Sequence, residues 1–256
     1  MAESAVSPAP RFSVVIPAYN EEAYLPRLVD SINAAREAYA GGRDAVEVVV
    51  GDNVSTDATA AVALARGCRV ARVEKRVIGA VRNGAVQLSR GEILLFVDAD
   101  VRIHPNTFNA IDAGLANGKV VTGALRLRIE RISLGLALTY IVTTPLVWLI
   151  KTSTGPVFCR RADFDAIGGY DEDLLFQEDI KILNDLKALG RTRGQKFRRL
   201  TRARAIASTR KWDVFGEWHI FKIFFTGLYG LIFRSGNREA RIKKFAEDYW
   251  YDAKGR

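Results

Sequence analysis

Between Phe12 and Asp98 the chain alternates short β-branched, apolar runs with helical patterns, and this alternation constrains the fold more than any other feature. Phe12 to Pro17, Ala45 to Asp52, Arg69 to Glu74 and Glu92 to Asp98 read as strands; Glu21 to Ala40, Thr56 to Arg66 and Ile78 to Ser89 read as helices. A βαβ series of this kind folds as a mainly parallel, Rossmann-like α/β sheet with helices on both faces. Such sheets bind ligands beyond the carboxyl ends of their strands. With 256 residues and 48% apolar content, the chain has enough material for one large domain. Residues 1–11, small and rich in Pro, Ser and Ala, read as a tail; 12–211 as the domain; 212–256 as an appendage.

The residues after the strands are polar. No GxGxxG follows the first strand, where Pro17-Ala18-Tyr19-Asn20-Glu21 stands, and no Walker loop occurs, which disfavours nicotinamide enzymes and P-loop NTPases. The apolar run Leu94-Leu95-Phe96-Val97 leads into Asp98-Ala99-Asp100. On an extended segment residues i and i+2 share a side, so two carboxylates converge and invite a divalent cation. Such an ion neutralises a departing diphosphate. With two Cys and two His in the whole chain, any metal is held mainly by carboxylates, which suits Mg²⁺ or Mn²⁺.

After the second strand comes Asp52-Asn53-Val54-Ser55-Thr56-Asp57, where Ser55 or Thr56 can cap the next helix and Asp52 can accept a hydrogen bond from a base edge. Glu178 and Asp179 open a helical pattern that runs to Leu189. They read either as partners of the helix dipole or as a general base for a hydroxyl acceptor.

The second half differs. Ile132 to Ile150 carries no charge and is just long enough to span a bilayer, but Gly135 and Pro145 interrupt it, so a buried or interfacial helix is the preferred reading. Trp212 to Phe233 is dense in aromatics with His219, Lys222, Thr226 and Gly230 at helical spacing, and Arg234, Arg238, Arg241, Lys243 and Lys244 follow. This is the pattern of an amphipathic helix lying in a membrane interface, with a core helix and solvated tail as the alternative. The net charge of +9 favours anionic partners.

Taken in order, these stations resemble glycosyltransferase family 2 from about Arg11 to Trp212. The matching segments are Ser13 to Glu22, Asp52 to Asp57, Ala80 to Ala85 with its Arg-Asn pair, and Asp98-Ala99-Asp100. The resemblance implies a GT-A fold and an inverting transfer from a nucleotide-sugar, UDP-linked or GDP-linked, assisted by Mn²⁺ or Mg²⁺. Pro17, Tyr19 and Glu21 would line the nucleotide pocket, Asp52 read the base and Arg82 contact the nucleotide. Asp98 would bind donor ribose or metal, Asp100 the metal, and Asp179, beside Glu178, would be the base. Gly155 to Arg160 and Gly168 to Asp171 resemble the acceptor-side segment, and Arg210 in Ser208-Thr209-Arg210-Lys211-Trp212 a basic residue closing over the donor. The apolar helices and basic tail fit a lipid-linked acceptor, a membrane surface and residence on its cytoplasmic face.

Two departures carry expectations of their own. Val54 stands where the family usually has Gly, so a left-handed backbone is not expected there. Lys181 stands where an acid is common, which would lower the base's pKa or favour an anionic acceptor. Competing readings are a catalytically silent scaffold and a nucleic-acid binder using Arg191 to Arg204.

Overall fold

The computed structural model describes residues 9–131, 133, 138, 141, 155–175 and 177–210. They divide into two compact units, the first of residues 1–127 and 154–205 and the second of 128–153 and 206–256. The amphipathic helix expected from Trp212 and nearly all of the apolar stretch 132–150 lie outside the described residues. Among the described residues no helix is long and apolar enough to cross a membrane.

The first unit is built on an eight-stranded sheet of order β3-β2-β1-β4-β7-β6-β8-β5. Its strands are β1 Phe12–Ala18, β2 Val46–Asp52, β3 Arg69–Arg72, β4 Ile93–Phe96, β5 Val101–Arg102, β6 Val120–Ile129, β7 Val157–Arg160 and β8 Lys196–Ala207. The helices are α1 Leu25–Glu37, α2 Thr59–Ala65, α3 Ile78–Leu88, α4 Thr107–Leu115, α5 Arg161–Ala166 and α6 Glu178–Thr192. β1 pairs in parallel with β2 and β4, and β2 with β3, while β7 runs antiparallel to both β4 and β6. The mainly parallel α/β sheet is thus present, extended by strands that the first-half pattern did not contain.

Burial explains the strand composition. β1 and β4 are buried along nearly their whole length because both faces are covered, so they read as continuous apolar runs. On one face Phe12 meets Tyr39 and Phe108 at ring distances of 5.4 and 5.0 Å, beneath α1 and α4. On the other, Val15, Leu94 and Phe96 join Ala85 and Val86 of α3 and Ile182 and Leu186 of α6. Gly51 of β2 permits that approach of α3: a Cβ there would lie 2.6 Å from the Val81 carbonyl oxygen.

Local geometry departs from the sequence pattern at four places. β4 ends at Phe96, and Asp98 to Val101 form a turn closed by the Val101 N–H to the Asp98 carbonyl at 3.0 Å. Asp98 and Asp100 therefore sit on a turn and not on an extended segment. Asp57, instead of Ser55 or Thr56, accepts from the first backbone N–H of α2, that of Thr59, at 2.9 Å. α1 starts at Leu25 because the Glu21 carbonyl closes a preceding turn onto Tyr24 and Leu25. Val54 does adopt a left-handed backbone, with φ of 57°, contrary to expectation.

Candidate active site

Arg82 is the hub of the carboxyl-end edge of the sheet. It projects from α3, whose Gly79, Ala80 and Val81 bury one side, and it is itself 4% exposed. Its Nη1 donates to Asp179 Oδ1 at 2.6 Å and to Glu178 Oε1 at 3.2 Å, and its Nη2 donates to Asp98 Oδ1 at 2.9 Å. The guanidinium also lies over the Tyr170 ring, 5.1 Å from its centre. One planar cation thereby ties the turn after β4 to the start of α6, segments about eighty residues apart in the chain.

The charges set one another's protonation. Burial alone would lower the Arg82 pKa, but Asp179, Tyr170, Asp98 and Glu178 carry it well above its ordinary value. For Asp179, loss of water raises the pKa, Arg82 opposes, and the Asp98 charge adds to the rise; the net shift is upward. Glu178 is raised as well, by burial and then by Asp179. A carboxylate cluster held by a single cation keeps excess negative charge, and upward shifts follow. The lowered pKa expected from Lys181 is not realised: its Nζ is engaged by Asp185 at 2.7 Å and lies 3.9 Å from Asp171.

The neighbouring loops are pinned to the same edge. Asn83 donates to the Tyr170 carbonyl and accepts from the Tyr170 N–H, at 2.9 and 3.0 Å, and it donates to Glu172. The Arg-Asn pair of α3 therefore clamps both the carboxylates and the segment from Gly168 to Glu172. Nothing in the linear pattern distinguished Asn83, Tyr170 or Glu172 as partners; only the Arg-Asn motif itself signalled the position.

Among the nucleotide-side candidates, Pro17 is within β1, opposite Gly51 of β2, and Asp52 ends β2 with 5% exposure. Both Asp52 carboxylate oxygens face the Ser55 N–H, at 3.3 and 3.4 Å. The Tyr19 hydroxyl accepts from Arg76 at 3.1 Å, and that guanidinium also lies over the Tyr19 ring. Glu21 is buried, with its N–H bonded to Thr59 Oγ1 at 2.7 Å. Arg210 belongs to the second unit, whereas every other candidate belongs to the first.

Asn20, Val54 and Gln177 are the non-glycine residues with left-handed backbone among those described, and each borders this edge. Asn20 follows β1 and Val54 follows β2, while Gln177 immediately precedes Glu178. Strain gathered at one edge marks a functional region.

No group of three or more His, Cys, Asp or Glu that would hold a metal occurs among the described residues. The donor set nevertheless fits a hard divalent cation of the Mg²⁺ type, which takes one or two carboxylates and completes its shell with substrate phosphates and water. Asp98 meets this need: its Oδ1 is taken by Arg82, and its side chain is 56% exposed.

A Rossmann-like sheet whose carboxyl-end edge carries an Asp-x-Asp turn and an adjoining acidic helix start is of the GT-A type. A profile of glycosyl transferase family 2 matches residues 13–139, and through this region the chain belongs to that family. Over 104 residues it is 38% identical to dolichyl-phosphate beta-glucosyltransferase of Drosophila melanogaster, covering 37% of this chain and 32% of that one. TarS 1-349 of S. aureus, solved with UDP-GlcNAc, superposes with a TM-score of 0.61 at 18% identity, covering 94% of this chain and 71% of that one. Glucosyl-3-phosphoglycerate synthase of Mycobacterium tuberculosis, solved with Mn²⁺, UDP and glucosyl-3-phosphoglycerate, gives 0.58 at 21% identity, covering 84% and 79%. The two structural likenesses establish the fold. The matched segment spans about a third of the length of the curated relatives.

Proposed function

We propose that the protein is an inverting glycosyltransferase that moves a sugar from a UDP-sugar, or a GDP-sugar, to a hydroxyl or phosphate of a lipid-linked or glycan acceptor. The observation that carries this reading is the Arg82 bridge, which holds Asp179 and Asp98 on one guanidinium. A base and a donor-side carboxylate are thereby kept in a common frame, as an in-line displacement between two bound substrates requires. With a hydroxyl acceptor Asp179 takes the proton while the oxygen attacks the anomeric carbon; an ionised phosphate acceptor attacks without it; in both the nucleoside diphosphate leaves from the opposite face. Its raised pKa brings it nearer to neutral pH, where a general base works best.

Asp98 and Asp100 are the residues that would hold Mn²⁺ or Mg²⁺, which supplies charge neutralisation for the departing diphosphate. Asp52 would accept from the base, Tyr19 with Arg76 would flank it, and Pro17 and Glu21 would shape the pocket. Arg210 is assigned to the donor diphosphate, and Glu178 supports Asp179 through the shared Arg82. That the fruit-fly relative is a dolichyl-phosphate transferase supports a lipid-phosphate acceptor, and the sequence of 212–256 supports a site of action on the cytoplasmic face of a membrane.

Calorimetric titration with UDP, GDP and CMP, each with and without Mn²⁺, tests the donor side. Binding of one nucleotide that needs the metal and disappears in Asp100→Ala is expected. Absence of binding by all three returns the protein to the scaffold reading.

A further inference from the structure

The run from Leu186 to Trp212 contains ten Lys or Arg and no Asp or Glu. Five of the ten lie on β8, where Lys196, Arg198, Arg202 and Arg204 are all exposed. These four share the parity of one strand and so its side, in two pairs about 7 Å apart within each pair and about 13 Å across the gap at Leu200. Leu200, which shares their parity, turns toward α4 and comes within contact of Gly114. Between α4 and β8 lies a groove of about 370 Å³, whose lining includes Asn106, Asn109, Arg198, Arg199, Thr201 and Arg202.

Among the described residues the charge of these four meets no acid. None of Lys196, Arg198, Arg202 and Arg204 has an ion-pair partner among the described residues. The nearby acids are already engaged: Asp163 by Arg193 at 2.6 Å, and Asp112, the only acid of α4, by Arg11 and Tyr39. Lys187 registers the crowding, its pKa lowered first by burial and then by Arg199 and Arg191. Concentrated positive charge left unpaired on a folded surface disfavours the folded state until an external anion meets it.

The chemistry of the face selects among anionic partners. A single-stranded nucleic acid needs exposed aromatic rings on which to stack. The one aromatic residue of β8, Phe197, is instead packed against the core, with Lys187 4.8 Å from its ring centre. A protein partner needs apolar or aromatic anchors at the centre of the patch, whereas here the exposed residues from Lys196 to Arg204 are arginine, lysine and threonine, and the exposed apolar residue of β8, Ile206, lies at its far end. A layer of phosphate headgroups asks only for a row of cations and amide donors.

We propose that the β8–α4 face docks the protein on an anionic phospholipid bilayer, with a lipid phosphate seated in the groove between Arg198, Arg202 and the Asn106 amide. The residues lining the groove include none of the Arg82 cluster, and the proposal is independent of the acceptor assigned above. Docking through it would hold the enzyme against a membrane whatever segment 212–256 contributes.

Sedimentation of the full-length protein with vesicles decides the matter. Strong binding is expected to phosphatidylcholine vesicles containing about one third phosphatidylglycerol, and little to phosphatidylcholine alone. At roughly five-fold per cation, the triple variant Arg198→Ala, Arg202→Ala, Arg204→Ala should bind about 100-fold more weakly. The matching triple lysine variant should bind as the parent does, and single Arg202→Ala should lose about five-fold and serve if the triple alanine chain fails to fold. Equal binding to both vesicle types, or a folded alanine variant that binds like the parent, would overturn the proposal. Full displacement by inorganic phosphate at constant ionic strength would reassign the groove to a soluble anion, and full displacement by an oligonucleotide would reassign the face to nucleic acid.

Discussion

Two regions of the first unit carry concentrated charge and treat it in opposite ways. At the carboxyl-end edge, Asp98, Glu178 and Asp179 converge on one buried Arg82, and the backbone nearby is strained at Val54 and Gln177. On β8, Lys196, Arg198, Arg202 and Arg204 stand exposed without left-handed backbone and without an ion-paired acid among the described residues. The first region has its counter-charge built in and pulls distant segments together. The second has no such internal pairing for these four among the described residues. Internal pairing of this kind costs desolvation and geometric precision, which suits a reacting centre; an open row of cations suits a broad surface.

The comparison breaks most visibly if the acidic edge is dispensable. Asp179→Asn should lower the rate of transfer to a hydroxyl acceptor by about 10²–10⁴-fold, with nucleotide binding preserved. A phosphate acceptor is already ionised and needs no base, so a loss of less than about ten-fold would assign the acceptor oxygen to a phosphate. Arg82→Leu should destabilise the fold by about 3 kcal/mol, measured by urea unfolding, because three carboxylates lose their cation. This is the lower end for breaking a buried pair, since Asp98 and Asp179 keep contact with water. An unchanged midpoint would mean that the bridge does not organise the edge.

Gly51→Ala should cost about 1–3 kcal/mol by driving a methyl group toward the Val81 carbonyl, and its thermal midpoint checks how tightly α3 is seated. The acidic pair should also give stability a pH slope absent from β8. Folded-state pKa values of Asp179 and Glu178 lie above those of the unfolded chain, so the folded protein holds more protons between the two. Their contribution is complete below the unfolded carboxylate range and is lost as pH rises through the raised values. Transfer should move the other way, growing as Asp179 deprotonates, and Asp179→Asn should flatten both profiles. The smallest effect is expected from Val54→Gly, which relieves a left-handed β-branched residue and should stabilise by about 1 kcal/mol in thermal unfolding, leaving vesicle binding unaltered.

Much of the parallel half was legible in the chain because its determinants are local. Doubly covered strands such as Val46–Asp52 read as apolar runs, helices α1 to α3 carry their own periodicity, and ligand-side residues follow strand ends by topology. The family motifs mark the same stations. β8 was not legible as a strand: its buried positions are Leu200, Ala203 and Ala205, too few and too small to stand out among the arginines. Nor was Val54's backbone, since propensity argues against a conformation that its surroundings impose.

The sequence by itself singled out Asp52 and Asp98 as residues that follow strand ends, and through the family resemblance it named Arg82 and Asp179 as candidates. Only the tertiary structure decided that Arg82 joins Asp98 to Asp179, that Asn83 grips the segment at Tyr170, and that Lys196, Arg198, Arg202 and Arg204 stand exposed along one strand. These relations depend on contacts between residues tens to nearly a hundred positions apart, which emerge when the sheet closes and water leaves, and no local pattern encodes them.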